Sequence, residues 1–288
     1  MKNMPLISKF KTQARRFARN SLDAYMPGFA HIYRQIREYR ASLNPQMDTK
    51  FGFKFAGNSS MVDGVFEKDE IEIFIKYLNI SAVCVDVGAN IGFYSCLSAQ
   101  LKKHVIAVEP LPQNLQILYK NLICNHFTDV EVFPLGLSQQ GGIKPIYGMD
   151  TGASFISGWS GTTDKFFTIV PVTTLDTILN NRFMGLPILI KMDVEGLEYS
   201  VLQGSLFTLN LKPKPVWLLE VHLNHNFSLG LNANFMATFE TFWHHGYKAF
   251  TADIHRRLIS KDDVERWIQQ GHVDFGSHNY IFHDVDDD

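Results

Sequence analysis

Short apolar segments alternate with amphipathic segments from Ser81 towards the C-terminus. A short apolar run predicts a buried strand, whereas apolar positions that recur every three or four residues predict a helix. These patterns predict strands at 82–87, 105–109 and 130–134, separated by helices at 93–101 and 112–124. Strands that alternate with helices in this way form a parallel sheet with helices on both faces, joined by right-handed crossovers.

The same alternation resumes towards the C-terminus. Strands are predicted at 187–192, 215–222, 247–252 and 280–283, with helices at 195–209 and 232–245. Ser260, followed three residues later by Asp263, caps a further predicted helix that ends near Gly271. The whole pattern predicts an α/β domain over residues 51–288, with a Rossmann-like sheet of seven mostly parallel strands and helices on both faces.

The stretch 141–172 interrupts this alternation. It is rich in Gly, Ser and Thr and contains two apolar runs, at 143–147 and 166–172. We interpret it as an inserted β-hairpin or a mobile loop. Ligands bind beyond the carboxyl ends of the strands in open α/β sheets, so an insertion there is a candidate lid or substrate wall.

Residues 1–50 are predicted to form a separate, basic helical extension. Nine Lys and Arg residues stand against two acidic residues in the first 40 positions. Apolar side chains recur on one face of this helix, at Phe10, Ala14, Phe17, Ala18, Leu22 and Tyr25. The helix either packs on the domain or on a partner in a homo-oligomer, or rests on an anionic membrane as a peripheral anchor. The Arg-rich stretch 9–20 also leaves a mitochondrial presequence open.

Composition narrows the class of protein. Apolar residues make up 45% of the 288 residues, which is typical of a globular protein, and the net charge of −2 does not indicate a nucleic-acid partner. No apolar run approaches the ~20 residues that span a bilayer. Three cysteines, none in a C-x-x-C pair, favour buried thiols in a reducing compartment, so we expect a cytoplasmic location.

The strongest chemical feature is the segment 85–92, Val-Asp-Val-Gly-Ala-Asn-Ile-Gly, which follows a predicted strand and opens a helix. Gly88 permits a tight turn, and Gly92 allows the helix and the strand to approach closely. The carboxylate of Asp86 would repel the pyrophosphate of a dinucleotide. S-adenosylmethionine has no phosphate and carries an ammonium and a sulfonium, so nearby carboxylates attract it.

A second acidic residue, Glu109, closes the next strand 21 residues after Gly88. An acid at a spacing of about 20 residues accepts hydrogen bonds from ribose hydroxyls in dinucleotide folds, so Glu109 indicates a nucleoside without identifying it. The predicted cofactor-binding residues are Asp86, Gly88, Asn90, Gly92, Phe93, Glu109, Pro110 and Ser138.

Two further clusters follow later strands. Residues 191–196, Lys-Met-Asp-Val-Glu-Gly, place Asp193 and Glu195 on the same sheet edge, and residues 219–222 add Glu220 and His222. Asp193 and His222 are the candidate general bases, in that order. Lys191, Glu195 and Glu220 are the candidate substrate-binding residues. The spacing His222-x-x-His225 suits a metal only weakly and lacks an obvious third ligand, so no metal is expected.

Together these segments resemble the FkbM-type S-adenosylmethionine-dependent methyltransferase family. The resemblance covers residues 60–285, and its most specific part is the acidic cluster 191–196, entered through Val-Thr-Thr-Leu-Asp at 172–176. It implies a class I methyltransferase sheet whose last strand runs antiparallel. It also implies S-adenosylmethionine as cofactor and O-methylation of a hydroxyl-bearing acceptor, such as a sugar, a glycan or a secondary metabolite.

Three alternatives stay open at this stage. A methyltransferase acting on nitrogen or carbon would share the same fold and cofactor. A catalytically silent binding module would keep the fold, although such modules lose the acids that are present here. An NAD-linked oxidoreductase would need a G-x-G-x-x-G turn and would not place an acid at Asp86.

Overall fold

The computed structural model describes residues 44–65, 67–148, 152–159, 164–165, 167–227, 230–275 and 278–284. The amphipathic face predicted between residues 10 and 25 lies outside these ranges, so both interpretations of it stay predictions. Within the described ranges, no helix combines the length and the apolar character needed to cross a bilayer.

The described chain begins with β1 (Met47–Asp48), β2 (Lys54–Phe55), α1 (Ser59–Val62) and α2 (Lys68–Ile80). β1 and β2 pair antiparallel, so this ladder spans the boundary that was predicted at residue 50. The N–H of Ala56 donates to Asn121 Oδ1 at 2.7 Å, and Asn121 Nδ2 donates to the carbonyl of Ile91 at 2.9 Å. The buried Asn121 side chain therefore joins the N-terminal segment to the glycine turn.

The first half of the core is β3 (Val83–Val87), α3 (Phe93–Gln100), β4 (His104–Val108), α4 (Pro112–Cys124) and β5 (Glu131–Phe133). The strands β3, β4 and β5 pair in parallel. All five residues of β3 are buried. A strand covered by helices on both faces is almost continuously apolar rather than alternating, which explains the pattern that predicted it.

A small separate sheet follows β5. It contains β6 (Gly136–Leu137), β7 (Gly142–Tyr147) and β8 (Phe167–Thr173), in the order β6-β8-β7. β7 and β8 pair antiparallel, with Ile143 opposite Pro171 and Tyr147 opposite Phe167. This antiparallel pair occupies the stretch 141–172. The short helix α5 (Leu175–Leu179) then leads back to the main sheet.

The second half of the core is β9 (Ile188–Met192), α6 (Glu198–Gln203), β10 (Val216–Glu220), α7 (Phe235–His244), β11 (Lys248–Thr251), β12 (Leu258–Ile259), α8 (Lys261–Gln270) and β13 (Asn279–His283). The capping box predicted at the start of α8 is present, since Ser260 and Asp263 bond reciprocally.

One predicted helix is wrong in extent. The helix expected over 195–209 is reduced to α6, followed by a separate 3-10 turn at Thr208–Asn210. Gly196 has a φ of +94°, which delays the start of the helix. At the other end, the carboxylate of Asp176 accepts the N–H groups of Phe207 and Thr208, both at 2.9 Å, and holds the chain out of a continuous helix.

The main sheet has eight strands in the order β12-β11-β13-β10-β9-β3-β4-β5. β13 runs antiparallel to both β10 and β11, while β3, β4, β5, β9 and β10 are parallel. The predicted class I methyltransferase sheet is confirmed, and the two-residue β12 adds an eighth strand at one edge. The strand order reverses between β3 and β9, and ligands bind beyond the carboxyl ends of strands at such a point.

Candidate active site

The carboxyl ends of β3, β4 and β9 meet at this reversal. Val87 lies opposite both Val108 and Met192 in the ladder. The N–H of Gly88 donates to the Val108 carbonyl at 2.9 Å, and the N–H of Asp193 donates to the Val87 carbonyl at 3.0 Å. A cavity with about 580 Å³ of empty space, partly open to solvent, begins directly beyond these strand ends.

This cavity has walls from the strand ends and from the insertion. It is lined by Val87, Gly88, Asn90, Val108, Glu109, Pro110, Leu111, Asn114, Gly136, Leu137, Ile146, Ala153, Phe155, Asp193, Val194, Glu195 and Leu197. Four predicted cofactor-binding residues, Gly88, Asn90, Glu109 and Pro110, are among them, together with Asp193 and Glu195. Its largely apolar lining with a few polar groups is typical of small-molecule sites.

The glycine turn brings β3 and β9 close together. Gly88 has a φ of +79°, and a Cβ at this position would lie 1.9 Å from the Asp193 carbonyl oxygen. Only glycine therefore permits this approach. Gly92 caps α3 with a φ of +89°, and a Cβ there would lie 3.1 Å from Leu118 of α4. Gly92 shapes the turn from outside the cavity lining.

Glu109 lies at the cavity and holds the turn together. Its Oε2 accepts the N–H of Asn90 at 2.9 Å, and its Oε1 accepts the N–H of Leu111 at 2.9 Å and Asn114 Nδ2 at 3.1 Å. Burial raises the pKa of Glu109 to about 7, although these three hydrogen bonds lower it. A carboxylate has about four acceptor sites, so capacity remains for a hydroxyl donor.

The other four predicted cofactor-binding residues lie outside the lining of the cavity. Gly92 packs on α4, and Asp86 is buried and accepts Ser95 Oγ–H at 2.6 Å, with its pKa raised by burial. The Phe93 ring packs edge-on against Phe55, at 5.5 Å between centroids. Ser138 Oγ accepts Lys144 Nζ at 2.6 Å. These residues support the turn and the insertion, and none of them lines the cavity.

The insertion supplies residues that the sequence did not identify. Ala153 and Phe155 line the cavity, with Ile146 of β7. Trp159 Nε1 donates to Glu195 Oε2 at 2.8 Å, and Ser154 Oγ donates to the Glu195 carbonyl at 2.7 Å. No motif marks these positions, because the folding of the insertion over the cavity depends on long-range contacts. Leu111 and Asn114 could have been found, since they begin the helix directly after Glu109.

Glu195 and Gly196 are held under Trp159. A Cβ on Gly196 would lie 2.6 Å from the indole, so the ring needs a glycine beneath it. Burial and the nearby Asp193 carboxylate raise the pKa of Glu195 to about 7, although the Trp159 hydrogen bond lowers it. Glu195 thus fastens the insertion to the main sheet and also faces the cavity.

Lys191 lies on the face of β9 opposite Met192, as its position along the strand predicts. Its Nζ is buried, 3.6 Å from Asp193 Oδ2, 3.9 Å from Glu70 Oε1 and 4.6 Å from the centre of the Tyr94 ring. Burial alone would lower the pKa of Lys191, but these carboxylates outweigh burial and raise it. Lys191 is therefore a buried cation held among acids.

Glu70 was not identified from the sequence, although it is a principal partner of Lys191. Its Oε1 accepts Tyr94 O–H at 2.8 Å, and its Oε2 accepts Asn279 Nδ2. Burial raises the pKa of Glu70 to about 7, while Lys191 and Tyr94 lower it. An acid inside an amphipathic helix is usually solvent-exposed, so only the packing of α2 against the strand ends shows its role.

Glu220 and His222 lie at the end of β10. Their Oε1 and Nε2 atoms are 2.7 Å apart. The His222 ring lies 4.4 Å from the ring of His278 and 4.9 Å from that of His225. Within the described part of the chain, no group of three or more His, Cys, Asp or Glu side chains, these histidines included, is arranged to hold a metal ion.

Asp193 lies between the residues that line the cavity and the charged residues around Lys191. It lines the cavity, and its carboxylate faces Lys191. Burial raises the pKa of Asp193 to about 6, while Lys191 lowers it. The structure thus brings Asp193, Lys191, Glu195, Glu220 and His222 to one edge of the sheet, as strands β9 and β10 predict.

The residues around the cavity fit S-adenosylmethionine. Asn90 Oδ1 is buried and has no hydrogen-bond partner within the described residues, so an acceptor is available beside the turn. Buried polar atoms are normally paired, and an unpaired one at a cavity indicates a ligand contact. Asp193, Glu195 and Glu109 place three carboxyl groups around the cavity, and a bound ammonium or sulfonium would favour their ionised form.

Comparisons with known proteins give the same assignment. The sequence profile described as Methyltransferase FkbM domain matches residues 86–249, more than half of the chain. The chain is 29% identical over 161 residues to the hexuronic acid methyltransferase AglP of Haloferax volcanii. That match covers 54% of this chain and 62% of AglP, so the chain spans less than two thirds of this relative.

Two solved structures align with this chain at low identity. The O-methyltransferase from Bacillus cereus, in complex with SAH, has a TM-score of 0.42 at 10% identity, covering 78% of this chain and 90% of that chain. The precorrin-6y C5,15-methyltransferase from Geobacter metallireducens GS-15 has a TM-score of 0.41 at 13% identity, covering 79% and 91%. On the profile match, the chain belongs to the FkbM methyltransferase family, and its cofactor is S-adenosylmethionine.

Proposed function

We propose that this chain transfers the methyl group of S-adenosylmethionine to a hydroxyl oxygen of a sugar-containing acceptor, such as a free sugar, a glycan or a glycosylated metabolite. The observation that carries the proposal is the position of Asp193, which lines the cofactor cavity and also faces the polar cluster around Lys191. The relative AglP, named a hexuronic acid methyltransferase, supports a sugar acceptor.

In this proposal, the cavity beyond β3 and β4 binds the cofactor. Glu109 accepts hydrogen bonds from the ribose hydroxyls with its remaining lone pairs, and Asn90 Oδ1 accepts a further hydrogen bond from the cofactor. Asp193 and Glu195 favour the cationic end of the molecule. When bound, S-adenosylmethionine supplies an activated methyl group.

The acceptor lies beyond the ends of β9 and β10. Lys191, Glu195 and Glu220 contact its hydroxyl groups, and the main work of the enzyme is to align the acceptor oxygen with the methyl group. A hydroxyl is a poor nucleophile near neutral pH, so a base assists. Asp193 and His222 are the two candidates for that base.

The proposal extends to partners and location. A hydroxyl-bearing small molecule or glycan is the partner, and nucleic acid is not, since the chain has a net charge of −2. We also propose a cytoplasmic location, in which residues 1–50 form a basic extension that contacts a membrane surface or a second copy of the chain. Methyl transfer to nitrogen or carbon, and a silent binding module, are the alternatives that the experiments below separate.

Calorimetric titration with S-adenosylhomocysteine tests the cofactor site. The wild type should bind, and Glu109→Gln and Asn90→Ala should each weaken binding by about tenfold, as expected for a lost hydrogen bond of about 1.4 kcal/mol. Glu72→Gln is the matched control, because Glu72 is exposed on α2 and pairs with Lys68 one helical turn away. Absence of binding by the folded wild type would contradict the proposal and favour a silent module.

Transfer of a labelled methyl group to a panel of acceptors tests the chemistry. The panel contains methyl glucoside, methyl galactoside, glucuronate, galacturonate and an amine. We expect label in a sugar product that survives mild alkali, since a methyl ether is stable where a methyl ester is hydrolysed. Label in the amine, or only in an alkali-labile ester, would contradict methylation of a hydroxyl.

A further inference from the structure

We infer that Glu220 is a positioning residue, whose carboxylate holds the Nε2–H of His222 so that Nδ1 keeps its lone pair and takes the proton of the acceptor hydroxyl. The inference rests on the proposed transfer to a hydroxyl and goes beyond it, because it selects one of the two candidate bases and gives Glu220 a role other than substrate contact.

The first step is the contact itself. Glu220 Oε1 lies 2.7 Å from His222 Nε2, and both side chains are largely buried, with 25% and 11% of their side-chain surface exposed. Glu220 is the last residue of β10 and His222 lies two residues beyond it, while the N–H of Val221 between them donates to the His278 carbonyl at 2.8 Å and fixes this segment. A carboxylate that bonds one imidazole nitrogen determines which nitrogen carries the proton.

The second step is the tautomer. An ionised carboxylate only accepts hydrogen bonds. Burial would raise the pKa of Glu220, but the hydrogen bond and the charge of His222 lower it below its usual value, so Glu220 is ionised. His222 Nε2 must then be the donor, and in the neutral ring Nδ1 is the acceptor.

The third step is the state of Nδ1. This atom is buried and has no hydrogen-bond partner among the residues that the structure describes. A buried acceptor without a partner destabilises the protein, and a hydroxyl donor would relieve that cost. In ligand-free structures such catalytic contacts are commonly completed only when the substrate binds.

The fourth step separates His222 from Asp193. The Asp193 carboxylate is 3.6 Å from the buried ammonium of Lys191, and it lines the cofactor cavity. The Lys191 ammonium therefore already engages the Asp193 carboxylate, whereas His222 Nδ1 has no hydrogen-bond partner within the described residues. His222 lies outside the lining of that cavity, just beyond the end of β10, where we propose that the acceptor binds. Asp193 therefore orients the cofactor, and the proton goes to His222.

The reaction then balances. The acceptor O–H bond breaks and its proton bonds to His222 Nδ1, while the oxygen forms a bond to the methyl carbon. The bond between that carbon and the sulfonium sulfur breaks, and its electron pair stays on sulfur. The imidazolium that results lies beside the Glu220 carboxylate, which stabilises it.

The groups that face His222 come from several elements. Burial would lower the pKa of His222, but the hydrogen bond and charge of Glu220 raise it, with further contributions from Glu195 and Glu198. Asp193 and His278 also act on it, and the pKa of His278 is lowered to about 4 by burial and by His222. The His225 ring lies 4.9 Å away. Any test must therefore vary Glu220 alone.

The experiment is ¹⁵N NMR of the full chain labelled at histidine, titrated through the range in which imidazole ionises, with His222→Gln to identify the resonance. We expect His222 to carry its proton on Nε2 at neutral pH and to titrate above its usual pKa. In Glu220→Gln the pKa of His222 should fall by about one unit or more, a tenfold change in protonation. Glu220→Asp should retain the raised pKa.

Glu240→Gln is the matched control, because Glu240 is on α7 and pairs with Lys261. A proton on Nδ1 of His222 in the wild type would overturn the inference, and so would an unchanged pKa in folded Glu220→Gln. If Glu220→Gln does not fold, the tautomer in the wild type decides alone. No acceptor is needed, so a failure here is distinct from loss of S-adenosylhomocysteine binding, which is measured on the same samples.

Discussion

The polar groups at the ends of β3 and β4 differ from those at the ends of β9 and β10 in how they are satisfied. Glu109 is held by three hydrogen-bond donors, two of them within five residues of it in the chain and the third, Asn90, 19 residues before it in the glycine turn. Lys191, in contrast, depends on Glu70, Tyr94 and Asp193, which come from three separate elements. The cofactor side is thus built by local hydrogen bonds, and the acceptor side by charges brought together over long distances.

This difference predicts which property a substitution changes on each side of the site. A local hydrogen-bonded turn binds the cofactor that the family shares. A cluster of buried charges depends on every member, because removing one leaves another without a partner. We therefore expect changes on the acceptor side to alter stability strongly, and changes on the cofactor side to alter cofactor affinity first.

The largest expected effect is that of Lys191→Met. Removing the ammonium leaves the buried Glu70 carboxylate and Asp193 without their cation, so the free energy of unfolding should fall by about 3–5 kcal/mol. Urea unfolding at neutral pH measures it. The deficit should shrink in acid, where the carboxyl groups are protonated. A loss below about 1 kcal/mol would contradict the dependence of the acceptor side on its buried charges. Lys261→Met, at an exposed ion pair, is the control.

Gly88→Ala should come next. The methyl group would meet the Asp193 carbonyl, and the left-handed backbone would be strained, so we expect a loss of about 3 kcal/mol together with loss of S-adenosylhomocysteine binding. Gly185→Ala isolates the backbone term, because Gly185 has a φ of +80° and a Cβ there would meet nothing within 4 Å. Equal losses in the two variants would show that β3 and β9 tolerate separation at this point.

Glu198→Gln tests the buried acids of the α6 region through pH. Burial raises the pKa of Glu198 to about 8, so the native state keeps a proton that the unfolded chain releases at about 4.5. The contribution of Glu198 to the free energy of unfolding is therefore fully present below about pH 4.5, and it is lost as the pH rises through about 8. At alkaline pH the variant should be more stable than the wild type by roughly 2 kcal/mol.

Thermal unfolding at several pH values measures this effect, with Glu265→Gln on α8 as a control. The amide keeps an oxygen to accept the Gly196 N–H, which Glu198 accepts at 2.9 Å. Parallel pH profiles for the variant and the wild type would contradict a raised pKa at Glu198.

Trp159→Phe should have the smallest effect. The phenyl ring still covers Gly196, but Glu195 loses the hydrogen bond from the indole. The contact between the insertion and Glu195 should therefore weaken by about 1 kcal/mol. That corresponds to roughly fivefold weaker S-adenosylhomocysteine binding by calorimetry. Trp243→Phe, on α7, is the control. A change in stability without any change in affinity would assign Trp159 to the fold rather than to the cavity.

Much of the site could be predicted because the sheet orders it. Parallel strands place their carboxyl ends at one edge, so Gly88, Glu109, Asp193 and Glu220 had to converge wherever the strands were recognised. Phe93 and Ser138 are predicted from the sequence as cofactor-binding residues, whereas in the structure the Phe93 ring packs against Phe55 and the Ser138 hydroxyl accepts Lys144 Nζ. The direction in which a side chain points next to a turn depends on backbone angles that the motif does not specify.

The order of strands and helices, the position of the glycine turn and the family could all be predicted from the amino-acid sequence, because apolar periodicity and local motifs act over a few residues. The tertiary structure alone decided that Glu70 pairs with Lys191, that Trp159 covers Gly196 and that His222 bonds Glu220 through Nε2. Such contacts depend on burial and on the relative placement of distant elements. The charge and tautomer of a buried side chain are set by its neighbours in space, which the chain order does not reveal.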